Sequence, residues 1–317
     1  MFNQTFDQFP KELWVATTQV ATVWTKPESA RDIDQYGTAN PTNIDKWIDS
    51  LSYEASLALC NENRVQTQIL YGEPVLVTET TANWASVIIP SQPSNKDERG
   101  YPGWVPITQL TKVNKGEWQT AETAAVIHDK VWLEAEDGEP FMKLSYMTFL
   151  PVIETGTTRI KVFTPHGDKF FPIDAVQIFK TDKGLNKGSG QDIVKAAEPY
   201  IRLDYFWGGM SSFGYDCSGL AYAAHKANGY QIARDAGDQA AAGVEVDFDQ
   251  LEPGDLLFFA YEEGKGSLHH VGIYYGDGQM LHSPQTGKGI EITPIKGTKY
   301  EKELCAARRY WQAAEES

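Results

Sequence analysis

Along the first third of the chain, hydrophobic and polar positions alternate in short runs that are separated by polar turns. EPVLVTET (73–80) and NWASVIIP (83–90) show this alternation, and YPGWVP (101–106) closes the series. Short runs with a period near two, bounded by turn residues, are typical of strands in a small β-barrel. The pattern predicts a first all-β barrel over residues 14 to about 112.

One segment inside this barrel has a different period. Four apolar residues follow Pro41 at spacings of three and four: Ile44, Trp47, Ile48 and Leu51. That spacing places them on one face of an amphipathic helix. We expect a helical insertion packed on the barrel.

The strand pattern repeats more weakly after the first barrel. KVWLEAE, FMKLSYMTFLPV, TRIKVFTP and PHGDKFF lie between residues 113 and 182 and predict a second small barrel. TDKGLNKGSGQ (181–191) then concentrates glycine, lysine and polar residues, which is the composition of an exposed connection. We therefore expect domains at 1–112, 113–182 and 183–317.

The third domain begins with helices and ends with strands. Ser189 can cap a helix from about 192 to 201, and Asp216 can cap a second from Cys217 to Asn228, with Gly229 at its C-terminal end. Strand-like runs follow: GDLLFFA, HHVGIYYG, GQMLHS, GIEITPI and CAARRYW. Helices followed by a strand meander predict an α+β domain.

The charge and the cysteines narrow the classes of protein. Forty-three acidic residues against 28 basic ones give a formal charge of -15, which disfavours nucleic acid and anionic membrane surfaces as partners. Three widely spaced cysteines without a CxxC pattern favour a reducing compartment and predict neither a disulfide framework nor structural zinc. The N-terminal stretch MFNQTFDQFPKELW lacks the features of a secretory signal, and no apolar run reaches 18 residues. We expect no membrane insertion, no metal or cofactor, and a cytoplasmic location unless a leader has been removed.

Cys217 lies at the joint between a glycine-rich turn and the second helix, in FGYDCSGLAYAAHKANG (213–229). At the first helical position the free N–H groups and the helix dipole favour a negative charge. We therefore expect this thiol to ionise more readily than usual and to act as a nucleophile. The alternative is a buried, inert cysteine.

Three of the six histidines lie in HHVGIYYGDGQMLHS (269–283). A three-residue loop at 275–277 would place His270 directly opposite His282 on one sheet face. Gly272 on the same face would leave room for the helix of Cys217 to dock. His269 points to the other face, where a substrate contact and a structural role are both open.

Together these residues predict a nucleophile, a base and an orienting group. Cys217 would attack, His270 would take its proton, and His282 would hold the imidazole of His270 in the right tautomer. The alternatives are a histidine pair with a structural role and a Cys-His-His metal site, for which no fourth ligand is evident at the usual spacing.

Five motifs follow one another over about 190–311, namely LDYFWGG, FGYDCSGL, EPGDLLFFA, HHVGIYYGDGQMLHS and ARRY. Together they resemble the NlpC-type cysteine peptidases of bacterial cell-wall metabolism. The resemblance implies a papain-like domain with a cysteine and two histidine-type partners. The barrels resemble bacterial SH3-type modules. Their order, with RVQTQ and RGYPGWVP in the first, is similar to YkfC-like γ-D-glutamyl-L-diamino-acid endopeptidases of murein-peptide recycling.

This resemblance implies hydrolysis of the bond between γ-D-glutamate and meso-diaminopimelate or lysine in wall peptides with a free N-terminal L-alanine. The first barrel would close one end of the cleft. The γ-D-glutamyl part would contact Asp216, Cys217 and Ser218, the cleft walls would be Tyr205 and Trp207, and the amine would meet Asp235 and Tyr101. Two positions depart from the family pattern, since Gln66 stands where a glutamate is common and Ala236 where a serine is common.

Other roles are open for several of these residues. Tyr101 and Trp207 could be packing residues, and Asp235 could cap the following helix in competition with Asp238. The alternative functions are a cell-wall peptide-binding protein without activity and an amidase or acyltransferase on the same papain-like domain. The intact set of Cys217 and two histidines argues against a pure binding protein.

Overall fold

The computed structural model describes residues 10–311, and its first part is the predicted β-barrel. The strands pair in the order β3-β2-β6-β5-β4-β1-β7, and their inward residues form a core around Val23, Ile69 and Val87. The strands of this barrel are β1 (Glu12–Ala16), β2 (Val20–Trp24), β3 (Val65–Leu70), β4 (Pro74–Thr80), β5 (Trp84–Ile89), β6 (Tyr101–Pro106) and β7 (Leu110–Asn114).

The helical insertion lies between β2 and β3 and consists of α1 (Gln35–Thr38), α2 (Ile44–Ser50) and α3 (Tyr53–Asn61). The Asn43 side chain accepts a hydrogen bond from the backbone N–H of Lys46 and so caps α2. Trp47 of α2 is buried with its ring centroid 5.8 Å from that of Trp24 in β2. The predicted helix and its packing on the barrel are confirmed. Helix α3 was not predicted, because its sequence YEASLALCN has no clear apolar stripe.

The second barrel repeats the topology of the first. Its strand order is β10-β9-β13-β12-β11-β8-β14, so each strand takes the position of the strand seven earlier in the chain. The short helix α4 (Lys115–Trp118) connects the two barrels. The strands are β8 (Glu122–Val126), β9 (Lys130–Glu134), β10 (Pro140–Ser145), β11 (Phe149–Thr155), β12 (Arg159–Val162), β13 (Lys169–Pro172) and β14 (Val176–Lys180).

The third domain has the predicted α+β organisation. An antiparallel sheet in the order β17-β22-β18-β19-β20-β21 follows the first helices. The helical segments are α5 (Gly190–Ala197), α6 (Cys217–Ala227), α7 (Ala236–Ala240), α8 (Tyr261–Gly264) and α9 (Lys299–Glu303). The strands are β15 (Met210–Ser211), β16 (Gly214–Tyr215), β17 (Val244–Glu245), β18 (Leu256–Ala260), β19 (Leu268–Gly276), β20 (Gln279–His282), β21 (Glu291–Pro294) and β22 (Leu304–Arg309).

The caps of the two main helices are as predicted. Ser189 accepts a hydrogen bond from the backbone of Asp192 at the start of α5, and Gly229 adopts a φ of 71° just after α6. The domain limits drawn from the sequence stay predictions. The first of them falls within β7, which pairs with β1 along its whole length.

The first barrel is hydrogen-bonded directly to the third domain. Backbone groups of segment 91–95, which precedes β6, contact residues on α6, on α7 and just before α7. These bonds join Tyr222 Oη to Ser91 O (2.6 Å), Arg234 N to Pro93 O (3.0 Å) and Asn95 N to Asp238 Oδ2 (3.0 Å). Among residues 10–311 no helix has the length and apolar character needed to cross a membrane.

Candidate active site

Cys217 is the first residue of α6, as the sequence predicted. The Asp216 carboxylate caps the helix by accepting a hydrogen bond from the backbone N–H of Gly219 (2.7 Å), and it also accepts one from the N–H of Gly208 (3.0 Å) in the preceding loop. Gly219 permits the backbone of Gly209 to pack closely on α6, because a Cβ there would come within 2.1 Å of the Gly209 carbonyl oxygen. The chain around Cys217 is therefore fixed from both sides.

Arg234 holds the Asp216 carboxylate from the other side. Its guanidinium donates to both oxygens of Asp216, at 2.6 and 3.2 Å, and also to Ser218 Oγ at 2.8 Å and Thr67 Oγ1 at 2.8 Å. Burial opposes the charge of Arg234, but Asp216 outweighs it and raises the pKa of Arg234. Because Thr67 belongs to β3, this buried ion pair also links the first barrel to the start of α6.

The Arg234 network changes the predicted roles of Asp216 and Ser218. Both side chains are buried and already make hydrogen bonds within the chain. Contact of these residues with a γ-D-glutamyl group stays a prediction, and it would involve their backbone groups. No role was predicted for Arg234, whose ion-pair partner Asp216 lies 18 positions earlier in the chain.

The prediction that the Cys217 thiol ionises easily is wrong for the free protein. Burial and then the neighbouring Asp216 carboxylate raise the pKa of Cys217 to about 12, while a hydrogen bond to the backbone of Val271 and the charge of Arg234 act in the opposite direction. The helix start is therefore a weaker influence than the apolar wall around the sulfur. Cys217 is a half-buried thiol at neutral pH and needs a base.

His270 and His282 form a buried hydrogen-bonded pair. His270 Nε2 lies 2.7 Å from His282 Nδ1, and both side chains are almost fully buried. Burial, and then the neighbouring His282, lower the pKa of His270 well below its usual value. Burial and Lys299 lower the pKa of His282 to about 4. Both rings are therefore neutral at pH 7.

Cys217 approaches β19 next to His270, since it bonds the backbone of Val271. The Tyr300 ring packs against both histidines, with centroid distances of 5.5 Å to His270 and 5.3 Å to His282. Burial raises the pKa of Tyr300 to about 12, and Glu291, Glu303 and Cys217 add to this effect. Tyr300 was not among the predicted site residues, because its segment TKYEKEL is typical of a polar surface.

The predicted strand register is wrong by two residues. Ile273 pairs with Leu281 and Tyr274 with Met280, because the turn lies at 277–278 and a bulge precedes Gly276. His282 is therefore diagonal to His270 rather than directly opposite. A shift of two residues keeps both side chains on the same sheet face, so the histidine pair forms all the same.

The predicted docking of α6 over Gly272 is also wrong. A Cβ at Gly272 would meet Met280 Sδ at 2.8 Å and His282 Cβ at 3.4 Å, which are groups of the neighbouring strand. Helix α6 instead packs against the opposite face, where Leu220 and Ala224 share a core with Val271. Gly272 makes room for the Met280 side chain and lies beside His282.

Beyond the pair, His282 Nε2 lies 3.0 Å from Thr293 Oγ1 of β21. Glu291 Oε1 is farther away, at 3.9 Å. His269 belongs to a separate contact, in which its Nε2 lies 3.2 Å from Glu303 Oε2 and its ring stacks on Tyr261 with a centroid distance of 4.1 Å. These contacts give His269 a structural partner on α9, and its contact with substrate stays a prediction.

The predicted amine site is a cluster of oxygen atoms where the first barrel meets α7. Tyr101 Oη donates to Asp235, with distances of 3.1 and 3.0 Å to the two carboxylate oxygens, and lies 3.4 Å from Gln66 Oε1. The Asp235 side chain makes no capping bond to α7, which disfavours the alternative of a helix cap. An ammonium group, that of Lys96, already lies in this cluster.

Of the remaining predicted residues, Tyr205 and Trp207 precede α6 and Ala236 begins α7. Tyr205 is half-buried, and burial raises its pKa well above the usual value, with Cys217 and Asp216 adding to the effect. Trp207 donates from its indole Nε1 to the Val65 carbonyl at 2.9 Å, which ties this wall to the first barrel. Ala236 is the first residue of α7 and packs partly against the domain core.

Among residues 10–311, no cluster of three or more histidine, cysteine, aspartate or glutamate side chains is arranged to hold a metal ion. The chemistry that the described groups can perform is nucleophilic attack by a thiol with an imidazole base. His282 is hydrogen-bonded to that imidazole and to Thr293, and its role as the orienting group stays a prediction.

Comparison with known proteins places this geometry in a family. The profile of the NlpC/P60 family matches residues 202–309, and that of the YkfC SH3b2 domain matches residues 126–179. The solved structure of an NlpC/P60 family protein from Bacillus cereus ATCC 10987 superposes with a TM-score of 0.90 at 34% identity, over 95% of this chain and 100% of that one.

Two curated relatives cover almost the whole chain, and both are named γ-D-glutamyl-L-lysine dipeptidyl-peptidase. The protein from Bacillus subtilis (strain 168) is 48% identical over 92% of this chain and 96% of its own length. The protein from Bacillus cereus (strain ATCC 10987 / NRS 248) is 35% identical over 92% of this chain and 88% of its own length. The matching sequence, the two barrels and the thiol–imidazole site show together that the chain described here is a cysteine peptidase of the NlpC/P60 family.

Proposed function

We propose that this peptidase releases the dipeptide L-Ala-γ-D-Glu from murein peptides with a free N-terminal L-alanine. The bond cleaved joins the γ-carboxyl of D-glutamate to a diamino acid, either L-lysine or meso-diaminopimelate. The relatives named γ-D-glutamyl-L-lysine dipeptidyl-peptidases, which share both barrels with this chain, support this assignment.

One observation carries the proposal, namely the oxygen cluster formed by Tyr101, Gln66 and Asp235. A carboxylate, a phenol and an amide oxygen converge there, and such groups bind an ammonium ion. The cluster adjoins Arg234, which bonds to the Asp216 cap of the nucleophile's helix. A peptide amine bound at Asp235 would therefore be anchored a short distance from Cys217, which suits an enzyme that cleaves at a fixed number of residues from the amino terminus.

The hydrogen bonds of the two histidines favour one direction of proton transfer. Because His270 Nε2 is bonded to His282, its Nδ1 is the nitrogen left to take the thiol proton. In the first step the Cys217 thiol gives its proton to His270, and the sulfur attacks the γ-glutamyl carbonyl carbon. The C–N bond then breaks, and His270 returns the proton to the departing amine.

The second half of the reaction consumes water. The dipeptide is now held on Cys217 as a thioester, and His270 takes a proton from a water molecule that attacks the same carbonyl carbon. The C–S bond breaks, and the thiol regains its proton. The backbone N–H of Cys217 at the helix start is a donor for the oxyanion, with the Tyr205 hydroxyl as a second one.

Product analysis tests the proposal. The protein is incubated with L-Ala-γ-D-Glu-L-Lys and with L-Ala-γ-D-Glu-meso-diaminopimelate, and the release of L-Ala-D-Glu is followed by mass spectrometry. We expect the dipeptide from at least one peptide and none from a Cys217→Ala variant. Full turnover by Cys217→Ala, or products cut elsewhere, would refute the proposal.

A blocked amino terminus tests the amine site separately. Acetylation of the alanine removes the charge that Asp235 would bind, so kcat/KM should fall at least about tenfold, since hydrogen bonds to charged groups contribute about 1.5–3 kcal/mol. Equal rates for the free and the acetylated peptide would show that Asp235 and Tyr101 bind something else.

A further inference from the structure

Lys96 lies in the oxygen cluster that the proposed function assigns to the substrate amine. Its Nζ is 3.0 Å from Asp235 Oδ2 and 3.0 Å from Gln66 Oε1, and it also contacts the hydroxyl of Tyr101. The same ammonium lies 4.1 Å from the centroid of the Tyr101 ring. These are the contacts expected of a peptide amine in this cluster.

The backbone next to Lys96 is held on the third domain, whereas the Lys96 side chain is partly exposed to solvent. Asn95 N donates to Asp238 at 3.0 Å, and Pro93 O accepts from Arg234, so the preceding residues are held on the third domain. The Lys96 side chain itself is 38% exposed, and that of Asp235 is 36% exposed. A rotation of the lysine side chain into solvent would empty the cluster without moving the barrel.

We propose that Lys96 is a built-in competitor for the amine site, and that it sets how strongly the enzyme discriminates between free and blocked peptides. This inference rests on the proposed function, because it takes the cluster to be the amine site. In the free protein Lys96 occupies the position of the substrate's ammonium group, and a free-amine peptide binds by displacing it.

The two classes of peptide respond differently to this lysine. A free-amine peptide must break the contacts of Lys96 with Asp235, Gln66 and Tyr101 before it makes its own. A blocked peptide leaves Lys96 in place, so Asp235 keeps a cationic partner and is not desolvated alone. Lys96 therefore weakens the binding of the free-amine peptide and reduces the free-energy cost of binding the blocked peptide. The loss of a glutamate at Gln66 makes Asp235 the one carboxylate within this cluster of described residues.

The test replaces Lys96 by methionine, which keeps the length of the side chain and removes the charge. Values of kcat/KM are measured for L-Ala-γ-D-Glu-L-Lys and for its N-acetyl form. Lys161→Met serves as control, because it breaks a similarly exposed lysine–aspartate pair (2.8 Å, with Asp168) in the second barrel and changes the net charge equally.

We expect KM for the free-amine peptide to fall in Lys96→Met by about two- to fivefold, the range that exposed ion pairs typically contribute. The KM for the N-acetyl peptide should stay the same or rise, so kcat/KM for the free-amine peptide divided by kcat/KM for the N-acetyl peptide increases. Lys161→Met should match the wild type for both peptides. Calorimetry with the free-amine peptide and the Cys217→Ala and Cys217→Ala/Lys96→Met proteins should give the same tightening in Kd.

The outcomes separate the two ideas. Cleavage of the free-amine peptide with an unchanged or reduced ratio in Lys96→Met would overturn the role of Lys96 and leave the proposed function standing. Weaker binding in Lys96→Met would mean that the lysine supports the site rather than competes for it, and would overturn the inference too. Failure of the wild-type protein to cleave both L-Ala-γ-D-Glu-L-Lys and L-Ala-γ-D-Glu-meso-diaminopimelate would refute the proposed function, and the inference with it.

Discussion

Thr293 Oγ1 lies 3.0 Å from Nε2 of His282, the ring nitrogen that does not contact His270. This contact and the histidine pair are compatible with one chain of tautomers. If Thr293 accepts from His282 Nε2, then His282 Nδ1 carries a lone pair that accepts from His270 Nε2–H. His270 Nδ1 is then unprotonated, which is the state that a base for Cys217 requires. The orienting role of His282 thus depends on a threonine in the next strand.

Thr293→Val removes the acceptor and nearly keeps the shape of the side chain. His282 then has no fixed tautomer, so kcat should fall by about five- to thirtyfold, which corresponds to about 1–2 kcal/mol for a lost hydrogen bond at a partly buried site. KM should change little, because Thr293 does not contact the predicted amine site. Steady-state kinetics with the free-amine peptide measures both values.

Thr293→Ser is the matched control, since it restores the hydroxyl and removes only a methyl group. Its kcat should stay within about twofold of the wild type. If the serine variant loses as much activity as the valine variant, the effect of residue 293 is one of packing and the tautomer chain is wrong.

The sequence predicted the type of most elements because local patterns determine them. The caps of α5 and α6 and the alternating strands of both barrels depend on neighbouring residues, and all of these agree with the structure. The pairing of β19 with β20 does not depend on local pattern alone, since the turn lies at 277–278 rather than 275–277 and a bulge before Gly276 shifts the register by one residue. Both histidines still share a face, because side-chain direction in a strand has a period of two.

The candidate site was predicted as a list of residue types, and its energetics were not. Whether a thiol at a helix start is acidic depends on how much apolar surface surrounds it, which no motif encodes. The contacts of Arg234 with Thr67 and of Lys96 with Asp235 join residues more than a hundred positions apart. Such contacts follow from the docking of the first barrel on the third domain, and a single sequence carries no signal for that geometry.

The raised pKa of Cys217 predicts how the thiol reacts in the free protein. With a pKa of about 12, the thiolate fraction grows about tenfold for each pH unit across the neutral range. The rate of alkylation by iodoacetamide should therefore rise by about one logarithmic unit per pH unit from pH 6 to 9. Mass spectrometry of the Cys217 peptide after timed quenching gives this rate.

The measurement uses a protein in which Cys60 and Cys305 are replaced by serine, so that Cys217 is the thiol observed. His270→Ala in the same background should show a slope at least as steep, because no imidazole is then present to take the proton. A rate that is already constant between pH 5 and 8 would indicate a preformed thiolate–imidazolium pair and would contradict this prediction.

Arg234 should be among the most costly charged residues to replace. Arg234→Gln leaves the Asp216 carboxylate buried without its cationic partner, so we expect the free energy of unfolding to fall by about 3–5 kcal/mol. Urea denaturation followed by tryptophan fluorescence measures this change. Arg159→Gln, which breaks a longer and more exposed contact with Glu134 (3.8 Å), should cost less than about 1 kcal/mol.

A double variant tests whether the loss comes from the uncompensated charge. Adding Asp216→Asn to Arg234→Gln removes that charge and keeps a side chain that can cap α6. The double variant should therefore lose less stability than the sum of the two single variants. Strict additivity would mean that Arg234 acts through packing alone.

The buried histidines predict a loss of stability in mild acid. Burial lowers the pKa of His225 and of His282 from 6.5 to about 4, so each is neutral in the folded protein while it is protonated in the unfolded chain between these values. The contribution of each histidine to the free energy of unfolding is about 3 kcal/mol, which is complete above pH 6.5 and is lost as the pH falls towards 4.

His225 lies outside the active site, and His225→Gln removes one of these two titrating groups. Urea denaturation at several pH values should therefore show a slope of unfolding free energy against pH that is shallower in this variant, between pH 6.5 and 4.5, by about 1.4 kcal/mol per pH unit. An unchanged slope would mean that His225 is already protonated in the fold, against the apolar surroundings in which its ring lies between Tyr230 and Tyr310.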